Sequence, residues 1–434
     1  MEIAVILIFS LILIISVILG ISTSYALLAG SVLFCIYARL KGFRAKEILR
    51  LLYSGFGTIY PIMITFSLIG VMGALWRSAG TIPMIIVAAS PVISPKTFIL
   101  ATFLLNSLVS TLIGSSFGTA STAGAICVVM GKTLGADPVL VAGALLAGAY
   151  VGDRWSPVST TFNLTSSLTG TKLRSNIPDY VKSAVVPLLI TCLLYLFMGW
   201  FSTAEGSVSD PRALFEGELI LSYYSLIPAL LIIVLTFFHC TVRITIFVSA
   251  LSAFLISVFL QHYPAADLLR FSLTGFIARD ASVGGYLNGG GIKSMLGVIT
   301  MILIASTYSG FFHETDLMKP LHDYIHVIYE KTTPYAAVLV TSVFTTMAFC
   351  SQPPAVLLTE QLCEDLIPDK KRLALYIGNS AAIITPLIPW TAGAIGPLAS
   401  AGGPRAGIPL AVYLYILPLY CLIRSFQQKQ RRHP

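Results

Sequence analysis

The sequence predicts an all-α polytopic membrane protein with about 10–12 transmembrane helices, arranged in two inverted repeats that contain broken helices. Three observations lead to this fold class. Only 11% of the 434 residues are charged, whereas ordinary soluble domains carry about 25%. Apolar runs of roughly 17–25 residues, long enough to cross a ~30 Å hydrocarbon core as a helix, recur from end to end. Segments of the two halves of the chain also align on each other.

The apolar runs define the predicted spans. The clearest lie at residues 3–20, 24–38, 57–75, 97–113, 183–200, 218–238, 244–260, 294–312, 335–350 and 406–423. Shorter or interrupted segments lie near residues 82–92, 122–130, 138–152 and 373–400. No alternating ten-residue pattern of a membrane barrel is present, and a spanning backbone must satisfy its own hydrogen bonds, so we expect these segments to be helices.

Basic residues set the expected orientation. Five of them crowd the loop after the second span and four crowd the C-terminal tail: Arg39, Lys41, Arg44, Lys46 and Arg50, then Arg424, Lys429, Arg431 and Arg432. The positive-inside rule places both groups, and with them both termini, in the cytoplasm. The net charge of +8 mostly reflects this loop bias. No basic stripe is interleaved with stacking aromatics, so we expect no nucleic-acid partner.

Three stretches of the first half align, in order, on three stretches of the second half. They are GALWRSAGTIP (73–83) on GFFHETDLMKP (310–320), NSLVSTLIGSS (106–116) on TSVFTTMAFCS (341–351), and residues 137–158 on 369–390. Internal repeats locate the binding site in many transporters. The expected organisation is N-terminal helices at 1–55, a first repeat at 56–200, a central connecting region with transmembrane helices at 201–291, and a second repeat with a basic tail at 292–434.

Each repeat contains one helix that the sequence predicts to be broken. In the first, Gly114, Gly118 and Gly124 alternate with hydroxyl residues; in the second, Pro353 and Pro354 remove two helical donors. Unwound backbone at membrane depth is tolerated where it lines a cavity, and there its oxygens can hold a small cation. The alternative is that the small residues only let helices pack closely. The candidate binding residues of the first break are Ser115, Ser116, Gly118, Thr119 and Thr122.

The stretch GDRWSPVSTTFNL (152–164) places charges at the end of the apolar helix 138–152. An intramembrane carboxylate is costly and is a functional candidate by default. Hard oxygen ligands of the kind that Na⁺ or a polar solute needs are offered by Asp153 with Ser156, Ser159, Thr160, Thr161 and Asn163, and Asp153 is the candidate Na⁺ ligand. The alternative is that Asp153 and Arg154 form an ion pair in an interfacial loop.

Four stretches together resemble the NhaC-type Na⁺/H⁺ antiporter family. They are SSFGTASTAG (115–124), ADPVLVAGALLAGAYVGDRWSPVSTTFNL (136–164), GGGIKSM (289–295) and TPLIPW (385–390), and they occur in order over roughly residues 100–400. The resemblance implies an inner-membrane secondary transporter, not an enzyme, that exchanges Na⁺ for H⁺, with some relatives exchanging organic acids. It also implies a homodimer in which one domain moves against a scaffold.

The sequence departs from the family pattern at four carboxylates. Thr160 stands where SPxS is followed by Asp, and Gly378, Asn379 and Ser380 stand where a Glu-Asp-Ser run precedes PLIPW. Ser351 and Gln352 stand where the second broken helix has an Asp-Gln pair. The second-repeat candidates that follow from the resemblance are Ser351, Gln352, Asn379, Ser380 and Thr385.

Thr and Asn side chains cannot titrate, so proton exchange would depend on the carboxylates that remain. Asp153 is the clear one, with His313, Glu314 and Asp316 as possible partners from the second repeat. Three hypotheses follow: a Na⁺/H⁺ antiporter; a Na⁺-coupled or exchange transporter of a small organic acid or amino acid, with Arg154 or Arg77 pairing its carboxylate; and a transport-dead scaffold. We expect no cofactor beyond Na⁺ and H⁺ as transported or coupling ions.

Overall fold

The computed structural model describes residues 1–54, 56–91, 94–202, 210–238, 240–315, 317 and 319–432. Across these residues the regular secondary structure is helical, and strand-like pairing is limited to one isolated bridge between Phe276 and Gly289. Five helices are long and apolar enough to cross a membrane, or up to seven if each of two bent helix pairs is one span. The all-α polytopic membrane fold is thereby confirmed.

Helices α1 to α3 lie in the predicted N-terminal part, at Glu2–Ile18, Thr23–Leu40 and Ala45–Ser54. The predicted first repeat, residues 56–200, begins with α4 and α5, at Phe56–Ser78 and Thr81–Ala89. Helices α4 and α5 form one of the bent pairs, with an angle of 64° at Gly80. Gly80 has a φ of 74°, a left-handed conformation that glycine adopts without steric cost, and it turns the chain between the two helices.

The predicted first repeat continues with α6 to α11. Their bounds are Phe98–Ile113, Ser116–Thr119, Ala125–Thr133, Pro138–Trp155, Thr160–Leu168 and Leu173–Phe201, and a π-helical turn at Ala120–Gly124 joins α7 to α8. The central region comprises α12 to α16, at Pro211–Glu216, Ile227–Phe237, Val242–Phe259, Ala265–Thr274 and Ala281–Leu287, with a 3₁₀ turn at Tyr223–Leu226.

The second repeat comprises α17 to α25. Their bounds are Gly291–Ser306, Tyr308–Glu314, Lys319–Lys331, Pro334–Phe349, Gln352–Cys363, Lys370–Gly378, Ala381–Ile384, Ala392–Ala401 and Val412–Arg432. Two 3₁₀ turns lie at Thr385–Leu387 and Arg405–Leu410. Four further apolar helices of 10–17 residues lie at Ala4–Ile18, Phe98–Ile113, Tyr223–Phe237 and Pro334–Phe349. The total of ten to twelve spans stays a prediction.

The two repeats break at corresponding places. Gly114 ends α6 with φ 67°, and Cys350 ends α20 with φ 55°. Each is followed by an extended serine, Ser115 or Ser351, and then by a new helix. Farther along the chain, α9 and α22 also begin alike, since the side chains of Asp137 and Asp369 cap their first turns. These correspondences support the repeat that the sequence predicts.

Three details of these breaks differ from the sequence expectation. The residues from Ser116 to Gly124 are helical rather than unwound, so the break is confined to Gly114 and Ser115. Pro353 and Pro354 do not cause the second break; they lie in the first turn of α21, where helical N–H groups have no partner in any case. Helix α9 continues to Trp155, so Asp153 and Arg154 belong to its last turn and not to a loop.

Helix α9 lies at the centre of the bundle. Every residue from Val141 to Arg154 is buried, and the helix packs against α6, α7, α10 and α24. A Cβ atom on Gly152 would lie 2.0 Å from the carbonyl carbon of Ser110, so the backbones of α6 and α9 are in direct contact there. The Ser110 hydroxyl secures this contact, because it donates to Ala149 O and accepts from Gly152 N at 3.0 Å.

Candidate functional site

Asp153 is a buried carboxylate beside the first broken helix. Its side chain is only 4% exposed, and its Oδ1 accepts a hydrogen bond of 3.2 Å from the main-chain N–H of Ser116, the first residue of α7. Within the described part of the chain, no Lys, Arg or His nitrogen lies within 4.0 Å of this carboxylate. The carboxyl group therefore has a main-chain donor at the start of α7 and no cationic side chain beside it among the described residues.

The break itself creates this arrangement. A Cβ atom on Gly114 would lie 2.6 Å from Ser159 N, and its φ is left-handed, so glycine is required at this crossing. Ser115 is extended, and its hydroxyl accepts from Gly118 N at 3.2 Å as the cap of α7. The Ser115 hydroxyl is therefore engaged in capping, and the Ser116 N–H is the donor that reaches Asp153.

The other hydroxyls of this segment bond to its own helical backbone. Thr119 donates to Ser115 O at 2.9 Å, and Thr122 donates to Gly118 O at 2.7 Å. A hydroxyl that donates its hydrogen still has two lone pairs on its oxygen, so it can accept a hydrogen bond or coordinate a cation. Thr122 and Gly118 also line a narrow gap of about 20 Å³ between this segment and α13–α14.

The loop from α9 to α10 is held by two buried serines. Ser159 donates to the main-chain oxygen of Asp153 at 2.7 Å and caps α10 by accepting from Phe162 N. Ser156 donates to Thr111 O at 2.7 Å. Both therefore fix the end of α9 on which Asp153 sits. Thr160 and Asn163 are exposed, and Asn163 donates to Pro157 O and Ser159 O, so these two lie outside the group around Asp153.

The second break contacts the first repeat through Gln352. Its Oε1 accepts from the Thr161 hydroxyl at 2.8 Å, and its Nε2 donates to Ala382 O at 2.7 Å. Gln352 is the first residue of α21, directly after Ser351. One amide therefore joins α10, α21 and α23, and the two broken regions meet at this point.

Arg154 follows Asp153 in sequence but contacts different elements. Its side chain is 1% exposed, and its Nε and Nη2 donate to Asn379 Oδ1 at 2.8 and 2.6 Å. Nη2 also donates to Tyr180 O at 2.8 Å and to the Ser183 hydroxyl. The alternative of an Asp153–Arg154 ion pair in an interfacial loop is therefore wrong, because both residues are buried and helical and Arg154 is bound by an amide.

The remaining candidates of the second repeat are bonded locally. Ser380 donates to Tyr376 O at 2.7 Å and shares a hydrogen bond with Ser342, and Thr385 donates to Ala381 O at 3.0 Å. The side chains of Glu314 and His313, and all of Asp316, lie outside the described residues. Arg77 is buried at the end of α4, where it donates to Gly73 O at 2.6 Å and packs beside Gly289.

Tyr150 is a member of this site that the sequence reasoning missed. It lies one helical turn before Asp153, is fully buried, and donates to Gly393 O of α24 at 2.8 Å. Residues three apart on a helix share a face, so Tyr150 lies on the face of α9 that carries Asp153. The spacing of three residues on one helix face was the signal that could have identified it.

The chemistry of the site is that of oxygen ligands. Among the described residues, no group of three or more His, Cys, Asp or Glu side chains could hold a metal ion. The arrangement around Asp153 provides one carboxylate and the main-chain groups of a helix break. Such ligands suit a hard monovalent ion and do not suit a zinc-type site.

Comparison with known proteins identifies the family of the chain. A sequence model of the Na⁺/H⁺ antiporter family matches residues 1–200 and 148–425. The Na⁺/H⁺ antiporter NhaC of Alkalihalophilus pseudofirmus is 28% identical over 382 residues, which cover 85% of this chain and 82% of that protein. NhaC of Bacillus subtilis is 26% identical, covering 89% and 88%. The malate-2H⁺/Na⁺-lactate antiporter of Bacillus subtilis is 26% identical, covering 81% and 77%. The chain therefore belongs to the Na⁺/H⁺ antiporter family.

Proposed function

We propose that this protein is a secondary antiporter of the inner membrane that exchanges Na⁺ for protons by alternating access, with both termini in the cytoplasm. Family membership and the names of its relatives support the exchange reaction. The distribution of Lys and Arg supports the orientation. As a transporter the protein would not be an enzyme, and its ligands would be ions taken from the two aqueous phases.

The observation that carries this proposal is the environment of Asp153. A buried carboxylate without a cation is costly in a protein interior, and a proton or a bound Na⁺ removes that cost. A proton and a Na⁺ ion compete for the oxygens of the same carboxylate, so binding of one favours release of the other. Exchange of Na⁺ against H⁺ follows when this one group is presented to the two sides of the membrane in turn.

The surrounding groups would complete the Na⁺ site. Carbonyl groups at the end of α6 have no helical N–H partner, and the main-chain N–H of Ser116 donates to Asp153. The hydrogen bonds from Ser159 to Asp153 O and from Tyr150 to Gly393 O position α9 and α24 around the carboxylate. A site held on helix termini would change its exposure if the two broken regions shifted against each other, and the hydrogen bonds of Gln352 are one link between these regions.

The test is Na⁺ flux in proteoliposomes under an imposed pH gradient, with Asp153→Asn compared with wild type. We expect flux to fall to the level of protein-free vesicles. Asp137→Asn is the matched control on the same helix, because Asp137 caps α9 by accepting from Val139 N at 2.7 Å and asparagine caps equally well. Wild-type flux in Asp153→Asn, or equal loss in Asp137→Asn, would contradict the assignment.

A second candidate function is exchange or Na⁺-coupled transport of a small organic acid. The observation that favours it is Arg154, a buried cation that is held by amide, hydroxyl and carbonyl groups and, in the described part of the chain, by no carboxylate. In the same proteoliposomes, Na⁺ flux that appears only when an organic acid is present would favour this function over Na⁺/H⁺ exchange. Absence of flux under all these conditions would favour a transport-dead scaffold.

A further inference from the structure

Helix α3 lies next to the end of a helix that can span the membrane. α2, at Thr23–Leu40, is long and apolar enough to cross a bilayer, whereas the ten residues of α3, Ala45–Ser54, are too few. Only residues 41–44 separate the two helices. Ile36 and Leu40, at the end of α2, are exposed on the surface of the protein, as lipid-facing side chains are. α3 therefore lies where the hydrocarbon core of the membrane meets the headgroup layer.

One side of α3 fixes the helix on the protein. Leu51 is buried, and Ile48 and Leu52 are half-buried beside it. A Cβ atom on Gly310 of α18 would lie 2.3 Å from Leu51 O and 2.4 Å from the Ser54 hydroxyl, so the two helices cross in close contact. Because this side is fixed, the rest of the helix surface is presented to the surroundings at a defined angle.

The remaining surface of α3 carries an apolar pair and a basic pair of side chains. Leu49 and Tyr53 are 53% and 67% exposed, and Lys46 and Arg50 are exposed as well. The members of each pair are four residues apart and share a helix face. At about 100° per residue, the apolar pair lies between the packed side and the basic pair. This order is typical of a helix in the membrane interface, whose apolar side chains enter the acyl region while Lys and Arg reach the headgroups.

Three cations of this segment have no acidic partner. Among the described residues, no carboxylate oxygen lies within 4.0 Å of Arg44, Lys46 or Arg50. Glu47, the only acid of α3, is exposed, and its carboxylate accepts a hydrogen bond of 2.6 Å from Arg44 N. Cations beside a membrane surface that no acid of the protein neutralises attract the phosphate groups of acidic lipids. The charge of this segment therefore complements an acidic membrane surface.

We propose that α3 and the residue before it bind an acidic phospholipid of the surrounding bilayer. The headgroup lies on Arg44, Lys46 and Arg50. The acyl chains pack on Leu49 and Tyr53. The occupant is a lipid and not a soluble anion, because the apolar pair lies next to the basic pair and both follow the end of a spanning helix. The proposal goes beyond ion exchange and does not depend on it, because this surface shares no residue with the candidate ion site.

The position of α3 gives lipid binding a structural consequence. The helix packs on α2 in the predicted N-terminal part and on α18 in the predicted second repeat. A lipid bound to α3 therefore restrains a helix that contacts both parts. A ligand that binds only the folded protein stabilises it. We expect the melting temperature of the protein to rise when acidic lipid is added.

The test is native mass spectrometry of the purified full-length protein in detergent, titrated with phosphatidylglycerol or with phosphatidylcholine. We expect wild type to bind phosphatidylglycerol more tightly, since only this lipid carries a net negative charge. Each Lys or Arg near an acidic membrane surface strengthens the attraction about fivefold, so Lys46→Gln combined with Arg50→Gln should weaken binding of phosphatidylglycerol roughly 25-fold. Lys46→Arg combined with Arg50→Lys keeps both charges and should bind as wild type does.

Two further variants separate the parts of the surface. Leu49→Ser removes a contact with acyl chains, which both lipids have, so it should weaken binding of both lipids by similar factors. Lys172→Gln combined with Arg174→Gln is the matched control and should keep the affinity of wild type. These two cations at the start of α11 are exposed and, in the described part of the chain, likewise have no carboxylate within 4.0 Å.

The outcomes separate this proposal from the proposed function, because Asp153→Asn should keep lipid binding even if it abolishes Na⁺ flux. The proposal is overturned if wild type binds the two lipids equally tightly, if the glutamine pair at 46 and 50 binds as wild type does, or if the control pair loses as much affinity. It is also overturned if inorganic phosphate at equal concentration displaces phosphatidylglycerol, since the ligand would then be a soluble anion. A change of oligomeric mass in the glutamine pair, with lipid binding unaltered, would likewise overturn it, since the surface would then contact a second copy of the chain.

Discussion

Gly152→Ala tests whether the close contact between α6 and α9 positions Asp153. The added Cβ would lie 2.0 Å from the carbonyl carbon and oxygen of Ser110, about 1.4 Å closer than ordinary contact at 3.4 Å. Both of these atoms belong to backbone, so a side-chain rotation cannot relieve the overlap. The helices must separate, and the next residue along α9 is the carboxylate that Ser116 holds.

The magnitude follows from the packing and from the hydrogen bonds at this contact. Overpacking costs about 1–3 kcal/mol. Separation of the helices also weakens the two hydrogen bonds of the Ser110 hydroxyl, each worth about 0.5–1.5 kcal/mol. We expect a melting temperature lower by several degrees, roughly 2–4 °C for each kcal/mol. A displacement of ~1 Å at a reacting group costs on the order of 100-fold in rate, so Na⁺ flux should fall far more than the protein content of the vesicles.

The assay combines thermal unfolding of the purified variant with Na⁺ flux after reconstitution. Gly297→Ala is the matched control, since it is a helical glycine of α17 whose Cβ would meet no atom within 4 Å. Alanine is the better helix former by about 1 kcal/mol, so this control should melt at the same temperature or slightly higher. If Gly152→Ala melts and transports like Gly297→Ala, the reasoning about the α6–α9 contact is refuted.

Two further predictions concern the second break. Gln352→Leu removes the amide that joins Thr161 to Ala382 O. We expect the free energy of unfolding to fall by about 1–3 kcal/mol and Na⁺ flux to fall with it. Wild-type stability and flux in this variant would show that the two broken regions are not coupled through this side chain. Cys350 has a left-handed φ of 55°, a conformation that glycine adopts easily and valine does not. Cys350→Gly should therefore be tolerated, and Cys350→Val should be less stable than Cys350→Gly by about 1–2 kcal/mol. Equal melting temperatures for the two variants would argue against a left-handed residue at this break.

The helical architecture could be predicted because the membrane leaves few options. Long apolar runs must form helices, and the predicted spans at 97–113 and 335–350 agree closely with α6 and α20, at Phe98–Ile113 and Pro334–Phe349. The breaks could also be anticipated, since glycine and hydroxyl residues interrupt one helix and two prolines lie in the other. Composition indicates that a helix is interrupted, but packing decides which residue adopts the left-handed conformation that ends it.

The local cause of each break was therefore predicted less well. At Gly114 the close approach of Ser159 leaves no room for a Cβ atom, so glycine is required there. This contact joins segments that are distant in sequence. In the second repeat the left-handed residue is Cys350, which has no intrinsic preference for that conformation, and the prolines lie in the turn that follows. No local pattern distinguishes these positions from their neighbours.

In the candidate site, too, the sequence indicates which residue types matter but not which partners they contact. Asp153 stands out in sequence because a carboxylate is rare in an apolar run, and the structure places it in a buried position beside Ser116. The bond from Arg154 to Asn379 joins residues 225 positions apart, so a single sequence cannot reveal it. Thr160 follows the serine that caps α10, and the start of that helix turns it outwards, although its place in the motif pointed to the site.

The central claim is that Na⁺ and H⁺ compete for the carboxylate of Asp153. The most direct measurement is Na⁺ binding to the purified protein by isothermal titration calorimetry over a range of pH, for wild type and Asp153→Asn. The account predicts that Na⁺ binds to wild type more weakly as the pH falls, with release of one proton for each Na⁺ bound, and that Asp153→Asn has lost this binding. Na⁺ affinity that is independent of pH in wild type, or that survives unchanged in Asp153→Asn, would contradict the account.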